Sequence, residues 1–212
     1  SPAPHLTLLS NKIAEMHQRP LRLMVYMPPR HGKSELCSHW TPTWFLTNWP
    51  NKRVILASYE ADFAATWGRK VRNTVLEFGQ TLNLRVSKDS AAADMWNLES
   101  GGGMQTAGAR GAMTGSGADL LLLDDPVKNA EEAQSPTIRE RTYDWYKSTA
   151  RTRLEPGASI ILMMTRWNER DLGGSLIKDD IAEGWEIINL PALCEFNNDP
   201  VGRMIGQPLW PE

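Results

Sequence analysis

Met27-Pro28-Pro29-Arg30-His31-Gly32-Lys33-Ser34 joins two stretches of different periodicity. Ahead of it, Leu21–Met27 is apolar or aromatic at nearly every position, as in a strand buried on both faces of a parallel sheet. Behind it, Lys33–Thr47 carries Leu36, Trp40 and Trp44 at helical spacing, with a reshaping expected near Pro42. Strand, tight turn and helix together open an α/β domain. In that setting the eight residues match the end of a phosphate-binding loop. Backbone N–H groups of Arg30-His31-Gly32, after Pro29, and the helix start would cradle phosphates, Lys33 would reach the outer phosphate oxygens, and Ser34 would ligate Mg²⁺. The match is incomplete, because the usual first glycine falls at Met27 and two prolines stiffen the turn. Taken alone, the same letters also describe an ordinary helix start with a cationic side chain.

Further βα units follow. Arg53–Ser58 reads as a buried strand and Ala61–Phe78 as a helix. Asp94–Leu98 and Met104–Ala107 read as short strands joined by Gly101, Gly102 and Gly103. Gly108–Gly117 reads as a glycine-rich loop and Leu120–Leu123 as the most apolar strand. Pro136 starts a helix expected to reach Leu154, with Tyr146, Ala150 and Leu154 four residues apart. Ser159–Met164 and Trp185–Leu190 complete the strands, and an amphipathic helix over His5–His17 precedes them all. The expectation is one α/β domain over residues 1–190. Residues 191–212, rich in Asn, Pro and Gly, form a C-terminal extension or the start of a linker.

Composition narrows the function classes. The chain has 212 residues, 41% of them hydrophobic, which is enough for one substantial core. Lys and Arg number 23 against 25 Asp and Glu, a net charge of −2, so any nucleic-acid contact has to be a local patch. Arg69, Lys70 and Arg72 form one such cluster. Arg139, Arg141, Lys147, Arg151 and Arg153 form another, although Glu140 and Asp144 on the same stretch favour a solvated helix face. Cys37 and Cys194 are too few and too distant for a disulfide framework or metal cluster, in keeping with a reducing cytoplasm. No apolar run is long enough to span a bilayer, and the polar, proline-broken start lacks the pattern of a secretory leader.

The complement of the lysine loop is Leu120-Leu121-Leu122-Leu123-Asp124-Asp125, a buried strand that delivers two carboxylates to the sheet edge where α/β folds bind ligands. Asp124 would hold Mg²⁺, and Asp125 would orient or deprotonate a water for phosphoryl transfer. Thr165, at the end of Ser159–Met164, could bond the γ-phosphate or its water. Arg30 in the loop and Arg110 in Gly108-Ala109-Arg110-Gly111 are the candidate transition-state cations.

Together these segments resemble the large terminase subunit of tailed bacteriophages. The likeness is carried by Met27–Glu35, by Ala57-Ser58-Tyr59 with Gly68–Arg72, by Thr114–Asp119 leading into Leu120–Pro126, and by Thr165-Arg166-Trp167-Asn168-Glu169-Arg170-Asp171-Leu172. They occur in the family's order over most of residues 5–175. The resemblance implies a P-loop NTPase of the additional-strand type, with a mainly parallel sheet, helices on both faces and Mg²⁺-ATP at the strand C-termini. It further implies an ATPase that drives double-stranded DNA into a viral procapsid in the host bacterial cytoplasm. The implied partners are the portal protein, the small terminase subunit and copies of itself in a ring, pentameric when assembled and monomeric as an isolated domain. Carried over, Pro29, Arg30, His31, Gly32, Lys33 and Ser34 form the nucleotide loop, Ser34 and Asp124 the metal site, and Asp125 the catalytic acid. Arg30 and Arg110 supply cations, and Thr165 couples hydrolysis to motion. The family commonly has Glu where this chain has Asp125. Its adenine-contacting segment lies upstream of the loop, where this chain has Pro4, His5 and the first helix. Its nuclease half would follow Glu212, so this stretch is not expected to cut DNA. Three other readings compete: a P-loop phosphotransferase, a helicase-like ATPase, and a non-catalytic nucleotide-binding assembly module.

Overall fold

The computed structural model describes residues 3–113, 115, 117–179 and 183–210. Eight strands form one sheet: β1 (Arg22–Tyr26), β2 (Arg53–Ser58), β3 (Val86–Ala91), β4 (Met95–Leu98), β5 (Gly103–Gly108), β6 (Ala118–Asp124), β7 (Leu154–Met164) and β8 (Glu186–Asn189). Their spatial order is β3-β4-β5-β2-β6-β7-β1-β8. The run from β5 to β8 is parallel throughout, and β3 and β4 add an antiparallel edge beyond β5. Strand β7 therefore lies between β1, which feeds the lysine loop, and β6, which ends in the acid pair.

Both faces are covered, as the continuous apolar runs require. Leu23 and Val25 of β1, with Leu120 and Leu122 of β6, face α1 (Pro4–Ala14), α2 (Thr41–Asn48) and α3 (Ala61–Leu82), packing with Leu9, Phe45 and Val71. Met24 and Leu121 point the other way, to Trp145 at the end of α5 (Pro136–Trp145), Tyr146 beyond it and Leu176 of α6 (Leu172–Asp179). This alternation within all-apolar strands follows from the pleat, which sends successive side chains to opposite faces. No helix among the described residues is long and apolar enough to cross a membrane.

The reshaping expected near Pro42 is present, and several other elements depart from the expectation. The helix after the loop runs on through Pro42, but Glu35–Trp40 is widened into a π turn in which Thr41 N–H bonds Leu36 O. A proline inside a helix removes a backbone donor and crowds the preceding turn, and the wider turn accommodates it. The helix from Pro136 is regular only to Trp145, then loosens into a π turn over Tyr146–Ala150. β7 starts at Leu154 rather than Ser159, because its first residues are mostly exposed and carry no apolar signal. The periodicity did not mark β3, α4 (Ala130–Gln134) or α6. In α6, Gly173 hides the pattern for a structural reason: a Cβ there would stand 2.4 Å from the Tyr26 hydroxyl, so only glycine lets the helix approach β1. Beyond Pro191, residues 191–210 fold into a loop braced by Arg203 on Asp199 at 2.8 Å. The loop buries Leu209 in the core, and Trp210 lies against the His5 ring at 5.3 Å.

Candidate active site at the strand C-termini

The turn after β1 reverses the chain with two left-handed residues, Arg30 at φ 65° and Gly32 at φ 82°. Glycine takes that conformation freely, while Arg30 holds it at a cost of about 1–3 kcal/mol, the kind of strain that gathers at functional sites. Leu6 of α1 packs 3.2 Å from where a Cβ on Gly32 would lie. From the same helix, His5 Nε2 donates to the His31 carbonyl at 3.0 Å, and His31 Nδ1 donates to Pro29 O at 2.8 Å. Burial lowers the pKa of His5, so the loop is braced by a neutral imidazole. The helix proper then begins, with Leu36 N–H on Gly32 O.

Lys33 is 5% exposed, and its ammonium sits at the centre of the site. It lies 3.0 Å from Asp125 Oδ2 and donates to Thr165 Oγ1 at 3.3 Å and to Met27 O at 3.5 Å. Asp125 leaves β6 at φ 44°, a left-handed turn that Asp tolerates better than most residues. Its backbone is tied to both flanking strands, by its N–H to Met163 O and by Tyr59 N–H to its carbonyl. Its Oδ1 accepts from Thr165 N–H at 2.9 Å. The end of β7 thus brings Thr165 into contact with both lysine and acid.

Asp124 is 1% exposed and receives a hydroxyl on each oxygen: Ser34 Oγ at 3.1 Å on Oδ1 and Ser38 Oγ at 2.7 Å on Oδ2. Burial pushes its carboxyl up to about 6, helped by the neighbouring charge of Asp125 and opposed by the two serines and Lys33. From the usual 3.8 to about 6, the native protein therefore binds more protons than the unfolded chain, and stability falls as pH rises through that window. In EDTA, urea melts from pH 4 to 7 are expected to show a loss of about 3 kcal/mol that Asp124→Asn does not share. Parallel pH profiles for parent and variant would refute this account of Asp124.

The two candidate arginines lie apart from this cluster. Arg30, within the turn itself, is exposed. Arg110, at φ 69° after β5, reaches across to Glu132 of α4 at 3.3 Å. Thr114 and Ser116 of the following glycine-rich segment lie outside the described residues. Two features escaped sequence reasoning. Ser38 is one; its signal was its place four residues after Ser34, on the same helix face. The other is a clamp on the Thr165 loop, in which Arg166 lies over the Tyr26 ring at 4.7 Å and donates to buried Asp171 at 2.7 Å.

The donor set suits magnesium. Asp124 and Ser34 offer oxygen alone, and no group of three His, Cys, Asp or Glu residues that could hold a metal forms among the described residues. A small hard cation that retains water and shares substrate phosphates needs one carboxylate and one hydroxyl rather than a full cage.

A mostly parallel sheet with a strand inserted between the lysine-loop strand and the acid strand defines a P-loop NTPase of the additional-strand class. Within that class, residues 24–202 match the family model "Terminase large subunit, T4likevirus-type, N-terminal". The chain belongs to this family, the N-terminal ATPase domain of terminase large subunits. Two solved structures share the fold. The HK97 bacteriophage large terminase is 16% identical with a TM-score of 0.53, over 84% of this chain and 37% of that one. The large terminase of a thermophilic bacteriophage is 13% identical with a TM-score of 0.51, over 89% of this chain and 44% of that one. The chain thus spans less than half the length of either protein. No curated protein matches it in sequence.

Proposed function

We propose that this domain hydrolyses Mg²⁺-ATP and that the energy drives double-stranded viral DNA into a procapsid. The observation that carries the reading is the meeting of Lys33, Asp125 and Thr165 at one sheet edge, beside the Ser34–Asp124 pair. Backbone N–H groups of residues 30–34 bind the phosphates, with Pro29 shaping the turn and Arg30 and His31 flanking them. Ser34 and Asp124 hold the metal, which when bound neutralises charge on the phosphate oxygens. Lys33 cannot serve a phosphate and Asp125 at once. Nucleotide entry draws the ammonium towards the phosphates and frees the carboxylate to orient and deprotonate water. Thr165, in contact with both, carries the change into the clamped loop of Arg166 and Asp171. Arg110 has to leave Glu132 before it can act as a transition-state cation, whereas Arg30 is free to swing from the turn.

In this reading the domain works in a ring of copies, pentameric when assembled, on a portal protein with the small terminase subunit, in the host bacterial cytoplasm. Residues 1–190 form the motor unit, and 191–212 are its C-terminal extension, with Leu209 seated in the core. Support comes from the family membership and from the acid pair at the sheet edge, one carboxylate for the metal and one for the attacking water. With Mg²⁺-ATP, the purified domain is expected to release the γ-phosphate as free phosphate. A phosphorylated small-molecule acceptor would favour the phosphotransferase, and nucleotide binding with no turnover would favour the passive assembly module.

A further inference from the structure

Serines and threonines within helices commonly turn back to the carbonyl four residues earlier. The neighbours of Ser38 do so: Thr43 Oγ1 donates to His39 O and Thr47 Oγ1 to Thr43 O, both at 2.8 Å. Ser38 departs from the pattern. Its hydroxyl leaves the helix and crosses to β6, donating to Asp124 Oδ2 at 2.7 Å, the shorter of that carboxylate's two hydroxyl contacts. Ser38 is fully buried, so no water competes for the bond. Four residues apart in the helix, Ser38 and Ser34 share one face.

The two serines stand in different positions. Ser34 is half-buried at the mouth of the site, beside the phosphate loop, whereas Ser38 is one turn deeper. We propose that Ser38 is a positioning residue for the metal site: by holding Oδ2 of Asp124 it fixes the carboxylate so that Oδ1 and the Ser34 hydroxyl keep one geometry towards Mg²⁺. The proposal rests on the reading of Ser34 and Asp124 as the magnesium pair. Without Ser38 the carboxylate keeps a single hydroxyl donor and rotates within the site. Partners that orient metal ligands in this way are worth about 10–100-fold in metal affinity.

The test is binding of the fluorescent non-hydrolysable analogue mant-AMPPNP to the 212-residue chain, in EDTA and over a Mg²⁺ titration. Ser38→Ala is expected to raise the Mg²⁺ concentration for half-maximal tightening about 10–100-fold, with affinity in EDTA unchanged within about twofold. Ser38→Thr, which keeps the hydroxyl, should recover part of the shift. A Mg²⁺ titration for Ser38→Ala that coincides with the parent's, while Ser34→Ala shifts it, overturns the proposal alone. Equal weakening with and without Mg²⁺ also overturns it, since a change acting through the fold has no metal dependence. If Ser34→Ala leaves the titration unmoved as well, the underlying metal-site reading fails. Melts followed by circular dichroism check folding. Should Ser38→Ala unfold below the assay temperature, the near-isosteric weak donor Ser38→Cys carries the same comparison.

Discussion

Lys33→Ala is expected to reduce ATP turnover by about 10²–10³-fold, the usual effect of removing one positioned donor from a charge-stabilising site. The ammonium is 5% exposed, so its field on a bound phosphate is little weakened by water. No described neighbour stands in its place, because Arg30 is exposed on the turn and Arg110 is held by Glu132. The cost to folding should be far smaller. Breaking a buried ion pair costs about 3–5 kcal/mol when the remaining charge is stranded, but Asp125 is 33% exposed and water can solvate it. Thermal melts should therefore move by only about 2–4 °C, equivalent to about 1 kcal/mol. Phosphate release at the parental rate in a folded Lys33→Ala protein would remove the loop from the mechanism.

Asp125→Asn separates chemistry from binding. Asparagine keeps the shape, accepts the Thr165 N–H bond through its side-chain oxygen, and tolerates the φ of 44°. What it loses is the charge and the ability to take a proton. Turnover should fall by about 10²–10⁴-fold, the range of general-base contributions. Nucleotide affinity should stay level or tighten, since Lys33 no longer has to be withdrawn from a carboxylate 3.0 Å away. Phosphate release and mant-AMPPNP titration on the same preparation read the two effects separately. Turnover unchanged in the variant would move the base elsewhere, and a joint collapse of affinity and turnover would make Asp125 a binding residue.

The parts of the fold that could be read from the chain are those where one local rule dominates. Arg22–Tyr26 and Leu120–Leu123 are unmistakable because strands covered on both faces must be apolar throughout. The polar edge strand Val86–Ala91 carries no such signature. The helix Leu172–Asp179 has two glycines in its first turn that weigh against helix by propensity, and Gly173 is present for close packing on Tyr26. Ser38 escaped notice because its partner is 86 positions away, and helical spacing names a face without saying what stands opposite.

By itself, then, the sequence determined the strand, turn and helix around Lys33, the acid-tipped strand at Asp124 and Asp125, and the family to which the chain belongs. These follow from local conformational preference and from residue types that few other chemistries require. Only the tertiary structure decided that β7 passes between the other two strands. That placement brings Thr165 against both a lysine and an aspartate 92 residues apart, while the helix after the loop encloses Asp124 between two serines. Strand order is fixed by how helices cover the two faces of the sheet, a contest among contacts distant in the chain that no run of neighbouring residues records.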